Sequence, residues 1–220
     1  MLIHVSRFTS VQAEIIEQVE RYVRDIRRRF VRGMDLEPLE SMMKSEFENI
    51  FKGSMKDISN VFHDEVGSQQ VEWHDIKSVL LDVLADIDVR EINGSAKDAL
   101  DYAENEATGL KVIAIGGDKL ARGLTLEGLC TSFFIRTTKM YDTLMQMGRW
   151  FGYRDGYLDV CRLYTTSDLI NWFGHIADAA EELREEFDNM AAAGGTPKDF
   201  GLRVRSHSTL TVTSLSLIHI

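Results

Sequence analysis

The chain has 220 residues, 44% of them hydrophobic and 27% charged, with a formal net charge of −10. This is globular composition with enough apolar content for a core, and the acidic balance argues against a free-standing nucleic-acid binder, which is usually basic. Cys130 and Cys161 are the only cysteines, too few for a disulfide framework or a cysteine metal centre, and no apolar run reaches the length of a membrane span.

The apolar run 1–6 predicts a buried strand. Thr9 followed by Gln12 has the capping-box pattern, and Val11, Ile15, Ile16, Val19, Val23, Ile26 and Phe30 recur at helical spacing, predicting a helix to about Arg32. Residues 34–86 read as helical, with helical spacing over 36–51 and 75–85 and interruptions at Gly53, Gly67 and 68–70. Strand–helix alternation then resumes. Strands are predicted at 89–92, 111–115, 130–135 and 158–164, and helices at 96–106, 139–151 and from a Ser167 cap to about Met190. In that last helix Ile176, Leu183, Phe187 and Met190 are expected to face inward. Residues 200–207 alternate apolar and basic side chains and read as a half-exposed strand.

Such alternation predicts an α/β fold around a mostly parallel sheet, whose working loops lie at the carboxyl ends of the strands. Two charge runs stand apart: Arg21, Arg24, Arg27, Arg28, Arg29 and Arg32, and an acidic run over 178–188. Both read as solvated helix faces.

Two segments carry candidate chemistry. Residues 116–129 open with Gly116-Gly117 directly after an apolar strand, a loop in which backbone N–H groups can approach a phosphate or ribose. Residues 146–154 place Gln146, Gly148, Arg149 and Arg154 at the end of a helix. A guanidinium held there offers a planar, permanently charged fork for phosphate.

The run Ala121-Arg122-Gly123-Leu124-Thr125-Leu126 resembles motif V of superfamily 2 helicases, and Gly148-Arg149 with Arg154 resembles motif VI. More narrowly, 139–154, with 1–9 and 196–205, resembles the Z1 domain, found in prokaryotic proteins joined to a superfamily 2 ATPase core. The resemblance implies the second RecA-like lobe of a P-loop NTPase-type motor. It implies Arg149 as the arginine that reaches the γ-phosphate, Arg154 as its second arginine, and Gly117, Arg122, Gly123, Thr125, Gln146 and Gly148 as nucleotide-side residues. The general motif VI pattern, with Gly148-Arg149 fixed, puts Met145 rather than Gln146 at its first position and Arg154 two residues late. Arg203 and Arg205 are candidates for nucleic-acid backbone contacts.

No Gly-x-x-x-x-Gly-Lys-Ser/Thr occurs, and Asp64-Glu65 follows no strand, so no Walker A or Walker B is read in the chain. The expected parent supplies both from a preceding lobe, together with ATP and Mg²⁺. The expected organisation is a first strand–helix unit at 1–33, a helical insertion at 34–86, the rest of the lobe at 87–190 and a C-terminal extension at 191–214. The tail 215–220 reads as the translation of a sequencing adapter, and the chain as a fragment. Expected partners are the missing lobe and DNA, not a membrane, in a prokaryotic cytoplasm, with a role in restriction, phage defence or DNA repair. Two alternatives stay open: a non-hydrolysing docking module, or part of an endonuclease.

Overall fold

The computed structural model describes residues 1–61, 71–92, 105, 109–117, 126–136, 138, 140–148 and 156–194. These fall into two compact units. One takes the described residues up to Phe134 together with 156–164, and the other takes 135–148 and 165–194.

The first unit is built on five parallel strands: β1 Leu2–His4, β2 Asp88–Ile92, β3 Val112–Gly116, β4 Thr131–Phe134 and β5 Arg162–Tyr164. Their order across the sheet is β2-β3-β1-β4-β5. The α/β fold with a parallel sheet is therefore as the sequence predicts, and it is consistent with a RecA-like lobe. Leu2 pairs with Ala114 on one side and Ser132 on the other, which makes β1 the central strand. All three of its residues are buried, as expected where a parallel sheet is covered on both faces. One face packs Leu2, Ile92, Ala114 and Leu129 into a cluster, flanked by Val112 and Leu126.

Helix α1, Thr9–Arg32, follows β1 and packs against β2 and β3. Its length matches the periodicity, but its start differs. Thr9 lies inside the helix and Phe8 is the cap residue, with no side-chain cap hydrogen bond. Gln12 instead turns inward, 2% exposed, and its Nε2 donates to the Ser6 carbonyl at 2.8 Å. The local capping pattern loses to a loop contact made by the same amide. Gly33, at φ 64°, ends α1 in the left-handed conformation usual for a helix stop.

Helices α2 (Leu36–Glu46), α3 (Gly53–Val61) and α4 (Trp73–Asp86) fill most of the stretch predicted to be helical. Gly53 does not interrupt. A π-helical turn, Phe47–Lys52, joins α2 to α3 and the helix runs on through Gly53. A glycine in a helix interior costs only about 1 kcal/mol against alanine, which neighbouring packing outweighs. Ile26 of α1, Leu39 of α2 and Leu84 of α4 share one core with Phe30, Met43, Leu80 and Ile87 around it. A true capping box does form at α4, between Glu72 and Asp75. Glu72 also accepts from Lys52 Nζ at 2.8 Å, a bond that raises the Lys52 pKa above its ordinary value.

Part of the arginine run is structural. Arg27, half-buried, donates from Nε and Nη2 to the carbonyls of Leu84 and Ile87 at the end of α4. Arg21 and Arg24 pair with Glu17 and Glu20 one turn earlier, as a solvated face does. On β5, Arg162 donates to the Ile50 carbonyl at 3.1 Å, and its Cζ lies 4.5 Å over the Phe51 ring. The π-helical turn is thereby tied to the sheet edge.

The second unit contains α5, Tyr141–Met147, and α6, Ser167–Ala192, packed together. The cap of α6 is Thr166, whose Oγ1 accepts from the Leu169 backbone N–H at 3.3 Å, one residue before the predicted Ser167. Ile176 and Met190 are buried as expected, but Phe187 is 40% exposed. Leu183 is intermediate, and the acidic run around it is solvent-facing. The predicted helix at 96–106, apart from Asn105, and the strand at 200–207 lie outside the described residues, as do Asp64 and Glu65.

Candidate functional site

The chain leaves β1 toward β2 on one side of the sheet and β4 toward β5 on the other. The carboxyl ends of these two neighbours therefore form a topological switch point, where open α/β sheets bind their ligands. His4 and Phe134 are register partners there. Their rings meet edge to face with centroids 5.3 Å apart, and both are essentially buried, at 1% and 0% exposure. They close the sheet beneath the loops.

Above them runs the loop from β1 to α1. Ser6 Oγ accepts from the Phe8 backbone N–H at 3.1 Å, and its carbonyl accepts from Gln12. Arg7 is exposed, its guanidinium 5.1 Å from the Phe8 ring centroid. Gly116-Gly117, at the end of β3, lies alongside this loop. A Cβ on Gly117 would stand 2.5 Å from Gln12 Nε2 and 3.2 Å from the Ser6 carbonyl. Glycine at 117 is thus required by the approach of a neighbouring loop, whatever else the segment does.

In the second unit Gly148 ends α5, its N–H donating to the Leu144 carbonyl at 3.1 Å. A Cβ here would stand 2.9 Å from Cε1 of Phe173 on α6. Gln146 is exposed on the preceding turn. Of the predicted site residues, Gly117 is therefore found just past the carboxyl end of β3, and Gln146 and Gly148 at the end of α5. Arg122, Gly123, Thr125, Arg149, Arg154, Arg203 and Arg205 lie outside the described residues.

The described starts of the two motif-bearing segments are thus Gly116-Gly117, after β3 in one unit, and Gly148, after α5 in the other. Across them, the family model of the Z1 domain matches residues 1–211. The chain belongs to the Z1 domain family. Comparison with curated proteins and with solved structures gives no match. Within this Z1 domain, sequence reasoning missed Gln12 and Phe173 as the partners of the two motif glycines. A short local pattern had assigned Gln12 to a cap, and Phe173 is simply one apolar residue in a long helix. Among the described residues no helix is long and apolar enough to cross a membrane. Among the same residues no group of three or more His, Cys, Asp and Glu side chains could hold a metal ion.

Proposed function

We propose that this Z1 domain is the second RecA-like lobe of an ATP-dependent DNA helicase or translocase, acting in restriction, phage defence or DNA repair. The observation that carries the reading is the parallel sheet whose switch point adjoins a glycine-rich segment, in a family member whose sequence continues into motif V and motif VI patterns. The DNA-processing context rests on the resemblance and on no contact within this chain.

The nucleotide-holding parts of such a motor would come from the preceding lobe, so ATP and Mg²⁺ belong to the assembled parent. ATP hydrolysis supplies the free energy. This chain's share is electrostatic. Arg149 would hold charge on the transferred phosphoryl group, with Arg154 beside it, and 117–125 would respond to nucleotide and bound strand. The described part of that segment fits a close-packed loop rather than an open cradle, because Gln12 fills the space beside Gly117. A permanently charged arginine reaching from this lobe to a nucleotide held by the preceding one asks for no cradle here.

The test is DNA-stimulated ATP hydrolysis by the intact parent protein. Arg149→Ala should lower turnover about 10³-fold or more, the scale of an arginine finger. Near-normal turnover would refute that role for Arg149. The gene upstream of this segment should encode a Walker A sequence, and its absence would sink the motor reading in favour of a docking module. The chain by itself should hydrolyse no ATP.

A further inference from the structure

The far end of α1 carries a feature that the motor reading does not use. Arg28, Arg29 and Arg32, with Asp25, Met34 and Asp35, line a groove of about 510 Å³. Spacings of three and four residues bring Arg32 onto the same helix surface as Arg29 and Arg28. The groove lies at the opposite end of α1 from Ser6 and Gly117, roughly 30 Å away by helix rise.

The three guanidiniums are not equally satisfied. Arg28 pairs with the Asp25 carboxylate. Arg29 is anchored: Nη2 donates to the Asp35 carbonyl at 2.5 Å, which fixes the plane of the guanidinium. Its Nε is enclosed and has no acceptor among the described residues. Arg32 is exposed, and no acidic side chain among the described residues pairs with it. An enclosed donor without an acceptor is costly and calls for an explanation.

The backbone adds a second observation. Asp35 has φ 47°, the only positive-φ residue other than glycine among the described residues. Left-handed backbone is unfavourable for a residue with a Cβ and persists where the surroundings hold it. Here it follows Gly33 at φ 64°, and the resulting turn presents the Asp35 carbonyl to Arg29.

We propose that this groove binds a phosphate group through Arg29 and Arg32. Planar guanidinium forks suit phosphate oxygens, and Arg29 and Arg32, neither of which forms an ion pair with a carboxylate among the described residues, supply the attraction. Asp35 lies against the anion and limits its affinity. A nucleic-acid backbone and a small phosphorylated compound offer the groove the same recognition chemistry, and the two probes below distinguish them. This proposal does not depend on the motor assignment.

The experiment uses the 220-residue chain at low salt, with pyrophosphate followed by calorimetry and a labelled single-stranded oligonucleotide followed by anisotropy. At least one probe should bind. Arg32→Ala should weaken it about tenfold, the scale of a lost charge-assisted contact. Asp35→Asn, which keeps a residue tolerant of left-handed backbone, should tighten it roughly two- to fivefold. Both positions are exposed, so melting temperature should hold and report intact folding. Competition between the probes assigns the groove to the nucleic-acid backbone, and pyrophosphate binding alone assigns it to a small phosphate. Failure of both probes to bind, or equal affinity in wild type and both variants, overturns the proposal.

Discussion

The Gln12 side chain occupies the space that any side chain at position 117 would need, with its Nε2 only 2.5 Å from a Cβ built on Gly117. Gln12 is held there by its bond to the Ser6 carbonyl, so it cannot swing aside without losing that partner. Gly117→Ala should therefore destabilise the fold by about 1–3 kcal/mol, the range for overpacking. Urea unfolding of a double-mutant cycle with Gln12→Ala checks the cause. The two changes should be less costly together than their sum, and strict additivity would disprove the contact.

A similar constraint, with a softer neighbour, holds at Gly148. The nearest atom is an aromatic edge of Phe173 rather than a bonded amide. Gly148→Ala should cost about 1 kcal/mol, the lower end of overpacking. In a Phe173→Leu background the same alanine should be nearly neutral. Thermal unfolding of the four proteins decides it, and an undiminished penalty beside Leu would assign the glycine to backbone conformation instead.

Two neighbouring arginines of α1 should behave differently. Arg27→Met removes donors from two carbonyls at the end of α4 and should cost about 2–3 kcal/mol. Arg24→Met breaks only an exposed pair with Glu20, at 3.6 Å, and should stay within about 0.5 kcal/mol. Equal midpoints in chemical denaturation would show that Arg27 clamps nothing.

Arg162 joins β5 to the π-helical turn by a hydrogen bond to Ile50 and by stacking over Phe51. Lysine keeps the charge but lacks the planar fork. Arg162→Lys should cost about 1 kcal/mol and speed amide exchange locally over 47–54. Unchanged exchange there would mean that the turn is held by its own helix.

Much of the architecture is readable from local pattern. The apolar spacing of Val23, Ile26 and Phe30 marks α1, and the short β-rich runs mark all five strands. Strand order is not readable, because nothing in Leu2–His4 says that its neighbours are Val112–Gly116 and Thr131–Phe134 rather than Asp88–Ile92. Phe187 shows the limit of periodicity: spacing defines a face, but only tertiary packing decides how far along a helix that face is covered. The candidate site divides likewise. Gly117 and Gly148 stand out as motif glycines, whereas Gln12 and Phe173, which make glycine necessary, are distant in sequence and chemically unremarkable.

The central position of β1 sets a schedule for assembly. Leu2 finds its partners in Ala114 and Ser132, so the middle of the sheet closes only after a long loop has been paid for in entropy, a topology that folds slowly. During synthesis, α1, α2 and α4 can pack on one another around Ile26, Leu39 and Leu84 well before β3 and β4 leave the ribosome. Leu2 and Ile3 stay unpaired through that interval. Until those two strands arrive, the apolar edges of Leu2 and Ile3 are open to association with other chains, the hazard of a sheet that closes late.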